Sequence, residues 1–236
     1  MGKVIISQRR GKGSNIYKAP SHRYTAKITY PVLEKEKKVM KGKIIDIIHD
    51  PARNAPITKV LFDDGTKGAF LASESITTDD AFEIGQNAAL DIGNVLPLGN
   101  IPEGTPVFNI ETIPNDGGKL VRGSGTFGII VSQGPGKTVI KLPSRVFKAV
   151  SASCRATVGI AAGGERKNKP FVKAGNKHYA MKARGRLYPI TSKIKMNAVD
   201  HKFGGSNLGV AKTTSRHAPP GRKVGSFGAK RTGKKR

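Results

Sequence analysis

Residues 57–72 read ITKVLF-DDGTKG-AFLA. Two runs rich in β-branched and aromatic side chains flank a polar turn, which predicts a β-hairpin. Asp64-Gly65 supplies the reversal, because glycine takes positive φ at little cost. Upstream, 43–49 carries Ile44, Ile45, Ile47 and Ile48 on both faces and suits a buried strand. Downstream, short strands are expected at 88–92, 106–111, 119–122, 126–132, 137–142, 145–150 and 154–160, most of them separated by Gly or Pro. Short strands at this spacing predict an all-β fold of sandwiches or small barrels, which close their own edges. The acidic, polar stretch 76–87 reads as a short helix or a joint, so a boundary falls near it. Two small barrels, over 37–85 and 86–165, fit this pattern better than one.

The charge is distributed unevenly around this β-rich middle. The 236-residue chain carries a formal net charge of +26. Residues 1–60 hold 14 Lys and Arg against 4 acids, 61–150 hold 7 against 10, and 151–236 hold 21 against 2. Self-repulsion of this size opposes compaction, so solubility alone does not account for it. A polyanion relieves it, and nucleic acid is the commonest one. Cys154 is the only cysteine, so an internal disulfide is excluded and a reducing compartment fits. No apolar run reaches the ~18 residues of a membrane helix. The N-terminal apolar run is too short for a signal peptide, and the basic stretches lack an inserting apolar stripe. The expected address is therefore cytoplasmic, with no membrane partner.

Residues 1–36 read as a basic N-terminal arm. Arg9, Arg10, Lys12, His22, Arg23 and Tyr24 are interleaved with glycine and proline, and no sustained period predicts a buried face. Such an arm is either a solvated tail or a segment that orders on RNA, with Tyr and Arg free to stack on bases. From 166 to 236 the apolar pattern decays into a second basic extension, expected to follow a partner's surface in irregular conformations. Lys169, Lys173, Lys177, His178, Lys182, Arg184 and Arg186 recur with Phe171, Tyr179 and Tyr188 between them. Arg216, Arg222 and Lys223 flank Pro219-Pro220-Gly221, and Lys230 and Arg231 lie near the end. One run of charge is usually a solvated face. Several runs laced with Gly and almost free of acids let backbone approach phosphates while Lys and Arg neutralise them.

Other chemistries are poorly supported. Gly123-Ser-Gly125-Thr-Phe-Gly128 matches G-x-G-x-x-G but leads into the strand-like IIVSQ rather than a helix, so it reads as a turn. Gly136-Lys137-Thr138 resembles the end of a P-loop, yet Val131 stands where the first glycine is required. The five histidines are widely spaced and one cysteine makes no Cys-rich site, so no metal or other cofactor is expected. Asp200-His201 is the strongest candidate for general-base chemistry, but adjacent side chains point different ways. A structural or RNA-contact histidine is the better reading, and no catalytic residue is assigned.

Eight strings then stand in order along the chain: QRRGKG (8–13), APSHRY (19–24), HDPARNAPI (49–57), GNVLPLGNIPEGTPVFNIE (93–111), CRATVG (154–159), KPFVKAGNKHYAMKARG (169–185), MNAVDHKFGG (196–205) and APPGRKVG (218–225). With them the chain resembles the family of large-subunit ribosomal proteins numbered two in the universal scheme, in its archaeal form. The resemblance implies an oligonucleotide-binding-type barrel followed by an SH3-like barrel, between long basic N- and C-terminal extensions. It also implies a structural constituent of the large subunit that binds rRNA directly, supports assembly and subunit association, and reaches the peptidyl-transferase region. The implied partners are large-subunit rRNA, other ribosomal proteins and the small subunit. Implied RNA contacts fall at APSHRY, at Arg53 within HDPARNAP, along KAGNKHYAMKARG, and at Asn197, His201 and Lys202. A contested role in peptide-bond formation attaches to the loop histidine, here His201. The family's usual loop has Pro where Lys202 stands and three glycines where this chain has Gly204-Gly205-Ser206.

Overall fold

The computed structural model describes residues 2–32, 39–206 and 211–229. They form two compact units: residues 21–170, and residues 1–20 together with 171–236.

The 21–170 unit is built on the predicted hairpin. Strand β1 (Val39–Ile48) precedes β2 (Ile57–Phe62) and β3 (Lys67–Leu71). The hairpin register runs from Ile57 opposite Leu71 to Leu61 opposite Lys67. Gly65 sits at φ +80°, and the Asp64 carboxylate accepts the Thr66 N–H at 2.9 Å and its hydroxyl at 2.6 Å. This is the side-chain-to-backbone turn that Asp supports. Alternation holds over 58–62 in β2, where Thr58, Val60 and Phe62 are buried and Lys59 and Leu61 are exposed, while Ile57 is buried on the other face. β1 departs from expectation. Only Ile44 is buried, because the pairing slips between Ile44 and Asp46 and leaves Ile45 48% exposed. One inserted residue turns a strand's alternation over, so apolar residues on both sides do not mean two buried faces.

The stretch 76–87 is not a helix. It contains β4 (Ala81–Gly85), drawn into strand geometry by antiparallel pairing with β1 from Val39–Gly85 to Lys43–Ala81. The strand expected at 88–92 is a turn region, and β5 forms later, at Val95–Pro97. Asn94 organises the turn: its Oδ1 accepts the Glu83 N–H at 2.9 Å and its Nδ2 donates to the Ala89 carbonyl at 3.0 Å. β6 (Pro106–Phe108), β7 (Gly128–Gly134), β8 (Lys137–Lys141), β9 (Phe147–Ser151) and β10 (Arg155–Val158) fall where strands were expected. At 119–122 only an isolated bridge forms, Leu120 to Ile110, since Val121 at φ +52° breaks the extended run. The ten strands make one ladder in the order β3-β2-β1-β4-β5-β10-β6-β7-β8-β9.

Its interior holds separate cores. Ile44, Val60, Phe62, Phe70, Phe82 and Ile84 fill the first, from β1 to β4. Leu96, Leu98, Ile101, Val107, Ile110, Ile130, Ile140 and Val158 belong to the second, along the later strands. A third cluster combines Ile28, Ala55, Ile57 and Leu71 with Phe108 and Ala161. The expectation of no buried face in the N-terminal arm fails here. Lys27 to Tyr30 alternate exposed and buried, with Ile28 2% and Tyr30 3% exposed. The Tyr30 hydroxyl donates to the Asn109 carbonyl at 2.7 Å and lies 2.6 Å from the Thr157 hydroxyl. Beside it, Glu111 and Arg155 form a buried ion pair at 2.8 Å, and Arg155 Nη1 donates to the Pro31 carbonyl at 2.7 Å.

The other unit has short elements: α1 (Ile6–Gly11), α2 (Ala174–Lys182), and a parallel pair, β11 (Thr213–Thr214) and β12 (Ser226–Phe227). The extension is therefore not wholly irregular, although α2 buries none of its residues. Close backbone approach organises this unit. The Lys3 N–H donates to the Val199 carbonyl at 2.7 Å, and Gly185, at φ +61°, leaves no room for a Cβ beside the backbone of Tyr17 and Ala19.

Candidate nucleic-acid interface

Asp50 brings two of the sequence motifs together. Fully buried, it accepts the Thr25 and Ala52 N–H groups, each at 3.2 Å, and the Arg53 Nε at 2.7 Å. Burial alone would raise its pKa, but the bonds from Ala52, Arg53 and Thr25 outweigh it and hold the carboxylate below its usual range. The clamp sets Arg53 close to the segment that ends in His22, Arg23 and Tyr24. His22 and Arg23 are exposed on a single 3₁₀ turn, and Tyr24 and Arg53 are half-buried.

Tyr24 and Arg53 open onto a groove of about 760 Å³, lined also by Lys27, Asp116, Lys119 and Arg122 among others. Arg122 donates to the Gly118 carbonyl at 3.0 Å and the Ile28 carbonyl at 3.1 Å. Burial, and then the neighbouring Arg53 charge, push its pKa down. Asp116 is committed locally. Burial would raise its pKa, but bonds from Thr112, Gly118 and Ile113 bring it down to about 2. The groove thus presents four cationic side chains and an aromatic ring against one tied carboxylate, a surface suited to phosphate. Sequence reasoning did not single out Lys119 or Arg122. A lone arginine inside KLVRGSG was the available signal, and its neighbour Arg53 is far away in the chain. The GSGTFG string is the expected turn, with the Thr126 hydroxyl bonded to the Gly123 carbonyl just before β7. Lys169 is exposed near the end of this unit.

In the other unit, Arg9, Arg10 and Lys12 are exposed on and just after α1. Arg9 and Arg10 occupy its last turn, where helix carbonyls favour positive charge. Along α2 and beyond, Lys173, His178, Lys182 and Arg186 are exposed, while Lys177 and Arg184 are half-buried. Lys177 lies over the Tyr188 ring at 5.1 Å, and the exposed rings of Tyr179 (70%) and Phe171 (46%) offer stacking faces. Asn197, Arg216, Arg222 and Lys223 are exposed and Lys202 half-buried, its Nζ 3.3 Å from the Thr214 hydroxyl. Lys230 and Arg231 lie outside the described residues.

His201 differs from all of these, at 5% exposure. Its Nδ1 accepts the Phe203 N–H at 3.0 Å, and the two rings lie 5.0 Å apart. Nε2 is buried without a hydrogen-bond partner among the described residues. Burial, and secondarily the charge of Lys193, lower its pKa, so the ring is neutral at pH 7. The ring is packed as a loop core, with little of it offered to solvent. Among the described residues no three His, Cys, Asp or Glu gather as a metal-ligand set, and no helix is long and apolar enough to cross a membrane.

Comparison with known proteins agrees along the whole chain. Residues 1–83 match the family model for the RNA binding N-terminal domain of ribosomal proteins L2, and residues 91–223 the model for their C-terminal domain. Large ribosomal subunit protein uL2 of Methanosphaera stadtmanae is 52% identical over 241 residues, covering 100% of both chains. That of Methanothermobacter thermautotrophicus is 49% identical, again over 100% of both, and that of Methanocaldococcus jannaschii 51%, over 99% of both. With one β-rich unit, basic extensions at both ends and full-length identity near one half, the chain belongs to the L2 family of ribosomal proteins.

Proposed function

We propose that this protein is a structural, rRNA-binding constituent of the large ribosomal subunit in the cytoplasm. In this reading it binds large-subunit rRNA directly, supports assembly and subunit association, and contributes to the peptidyl-transferase region. Two barrels, 37–85 and 86–165, dock on folded RNA, while the arm 1–36 and the extension 166–236 follow RNA surfaces. Neighbouring ribosomal proteins and the small subunit are its further partners. One observation carries the reading. Among the described residues, the unit of 1–20 and 171–236 buries only Ile5 and Val224 of its hydrophobic side chains, yet displays Lys and Arg on almost every segment. A fold with so little apolar burial draws its order from a partner, and its charge requires that partner to be a polyanion. An enzymatic reading centred on His201 is disfavoured by its burial and by the bond its Nδ1 already accepts.

The test is binding of the full chain to large-subunit rRNA, unrelated RNA and duplex DNA across a salt series. Binding to one rRNA region should survive at a salt where unrelated RNA is released. Equal binding to all three with one common slope would show that charge alone drives association, and would overturn the site-specific reading.

A further inference from the structure

The near-neutral middle of the chain is two regions of opposite charge. Residues 61–116 hold ten acids and a single lysine, whereas 117–164 hold seven Lys and Arg and no acid. Strands β7 to β9 lie in the second stretch and form an antiparallel meander that ends the sheet. One face is core: Ile130, Ile140, Thr138 and Val150 are all buried. The register sets the other face. Ile129, Lys141 and Phe147 form one cross-strand row, and Ser132, Val139 and Ala149 the next. Phe147 is 58% exposed, with small Ala149 two residues along the same face. Lys137 and Lys141 lie on that face of β8, about 13 Å apart at strand rise. The tight turn from Leu142 to Val146 carries Arg145 next to the Phe147 end. Glu103, which accepts the Gln133 N–H, sits at the opposite end of β7.

An exposed aromatic ring on a sheet face, with Lys141 paired to it and Lys137 further along the same face, matches the physical needs of an unstacked base and its phosphates. Charge excludes a basic partner, and the open ring is of no use to a duplex, whose bases are already stacked. We propose that the outer face of β7–β9 is a platform for single-stranded RNA, with a base stacked on Phe147 and phosphates held by Lys137 and Lys141. The proposal rests on the RNA-binding reading above and adds a site in the stretch matched by the C-terminal family model.

The test uses the full chain and a labelled oligouridylate, at the highest salt where binding persists. Photocrosslinking should mark the β9 peptide. Phe147→Ala should lose about 5- to 150-fold in affinity, Phe147→Tyr should retain binding, and duplex RNA should be little affected. The unfolding midpoint of Phe147→Ala should match the parent, since the ring is mostly exposed. Crosslinks confined to the two extensions with unchanged affinity would overturn the platform, as would displacement of the parent chain's oligouridylate from β9 by an acidic peptide but not by unlabelled RNA. If the chain also shows no preference for large-subunit rRNA, the broader reading fails; if that preference holds and β9 is unmarked, only the platform fails.

Discussion

The two units of this protein are held together by different physics. The 21–170 unit buries nearly all of the hydrophobic core and carries the Glu111–Arg155 pair at 0% and 4% exposure. The unit of 1–20 and 171–236 has glycines at its tightest backbone contacts, one buried histidine and a helix with no buried face. Apolar burial gives the first a stability that is its own. The second has little to offset the entropy of ordering and the repulsion of its charges. The lesson is that one chain can combine a body with a large apolar core and extensions with almost none.

The largest effect that could break this comparison comes from the body. Glu111→Ala strands a buried guanidinium and also frees the Arg155 and Gly117 N–H groups that the carboxylate accepts. Urea unfolding should lose about 3–5 kcal/mol; a loss below about 1 kcal/mol would mean apolar burial alone holds the unit. An intermediate effect belongs to Gly185→Ala. A Cβ there would lie 2.7 Å from Tyr17 O and Ala19 N, at a backbone angle of φ +61°. Local stability should fall by about 1–3 kcal/mol, seen as faster hydrogen exchange at 17–19 and 183–186. Equal acceleration at the 57–72 hairpin would erase the distinction between the units. The smallest effect is at His201. Its pKa is lowered from 6.5 in the folded loop, so the unfolded loop binds protons more readily. Its contribution is present above pH 6.5 and declines as pH falls below that value. The protection factor of the Phe203 amide, its exchange corrected for the intrinsic pH dependence, should fall on mild acidification, and a constant protection factor there, or a fall unchanged in His201→Gln, would remove the histidine from the loop's stability.

How much of this was legible depended on whether local pattern and tertiary pairing agree. The 57–72 hairpin was readable because its alternation and Asp-Gly turn point the same way. Ala81–Gly85 was not, since acids precede it and glycine ends it, and only its pairing with β1 and β5 makes it a strand. Lys27–Tyr30 has a real period of two but only four residues of it, lost among the arm's charges. Helix α2 has good helix formers and no apolar face, so periodicity was silent. The candidate interface divided similarly. Exposed cations were visible from charge runs, whereas the approach of Arg53 to Arg122 depends on the Asp50 clamp and on a carbonyl of the N-terminal segment. The burial of His201 could not be read from a loop so rich in glycine.

The Tyr30 hydroxyl meets the Thr157 hydroxyl across 127 residues of chain. Synthesis runs from the N-terminus at about 5–20 residues per second. Tyr30 therefore leaves the translating ribosome about 10 s before its partner exists. Until then the first core lacks the ring's final anchorage, while the strongly basic beginning of the chain is already in solution among every polyanion of the cell. A protein that closes its body this late needs an escort for its leading segment during birth, or must find its RNA before it has finished folding.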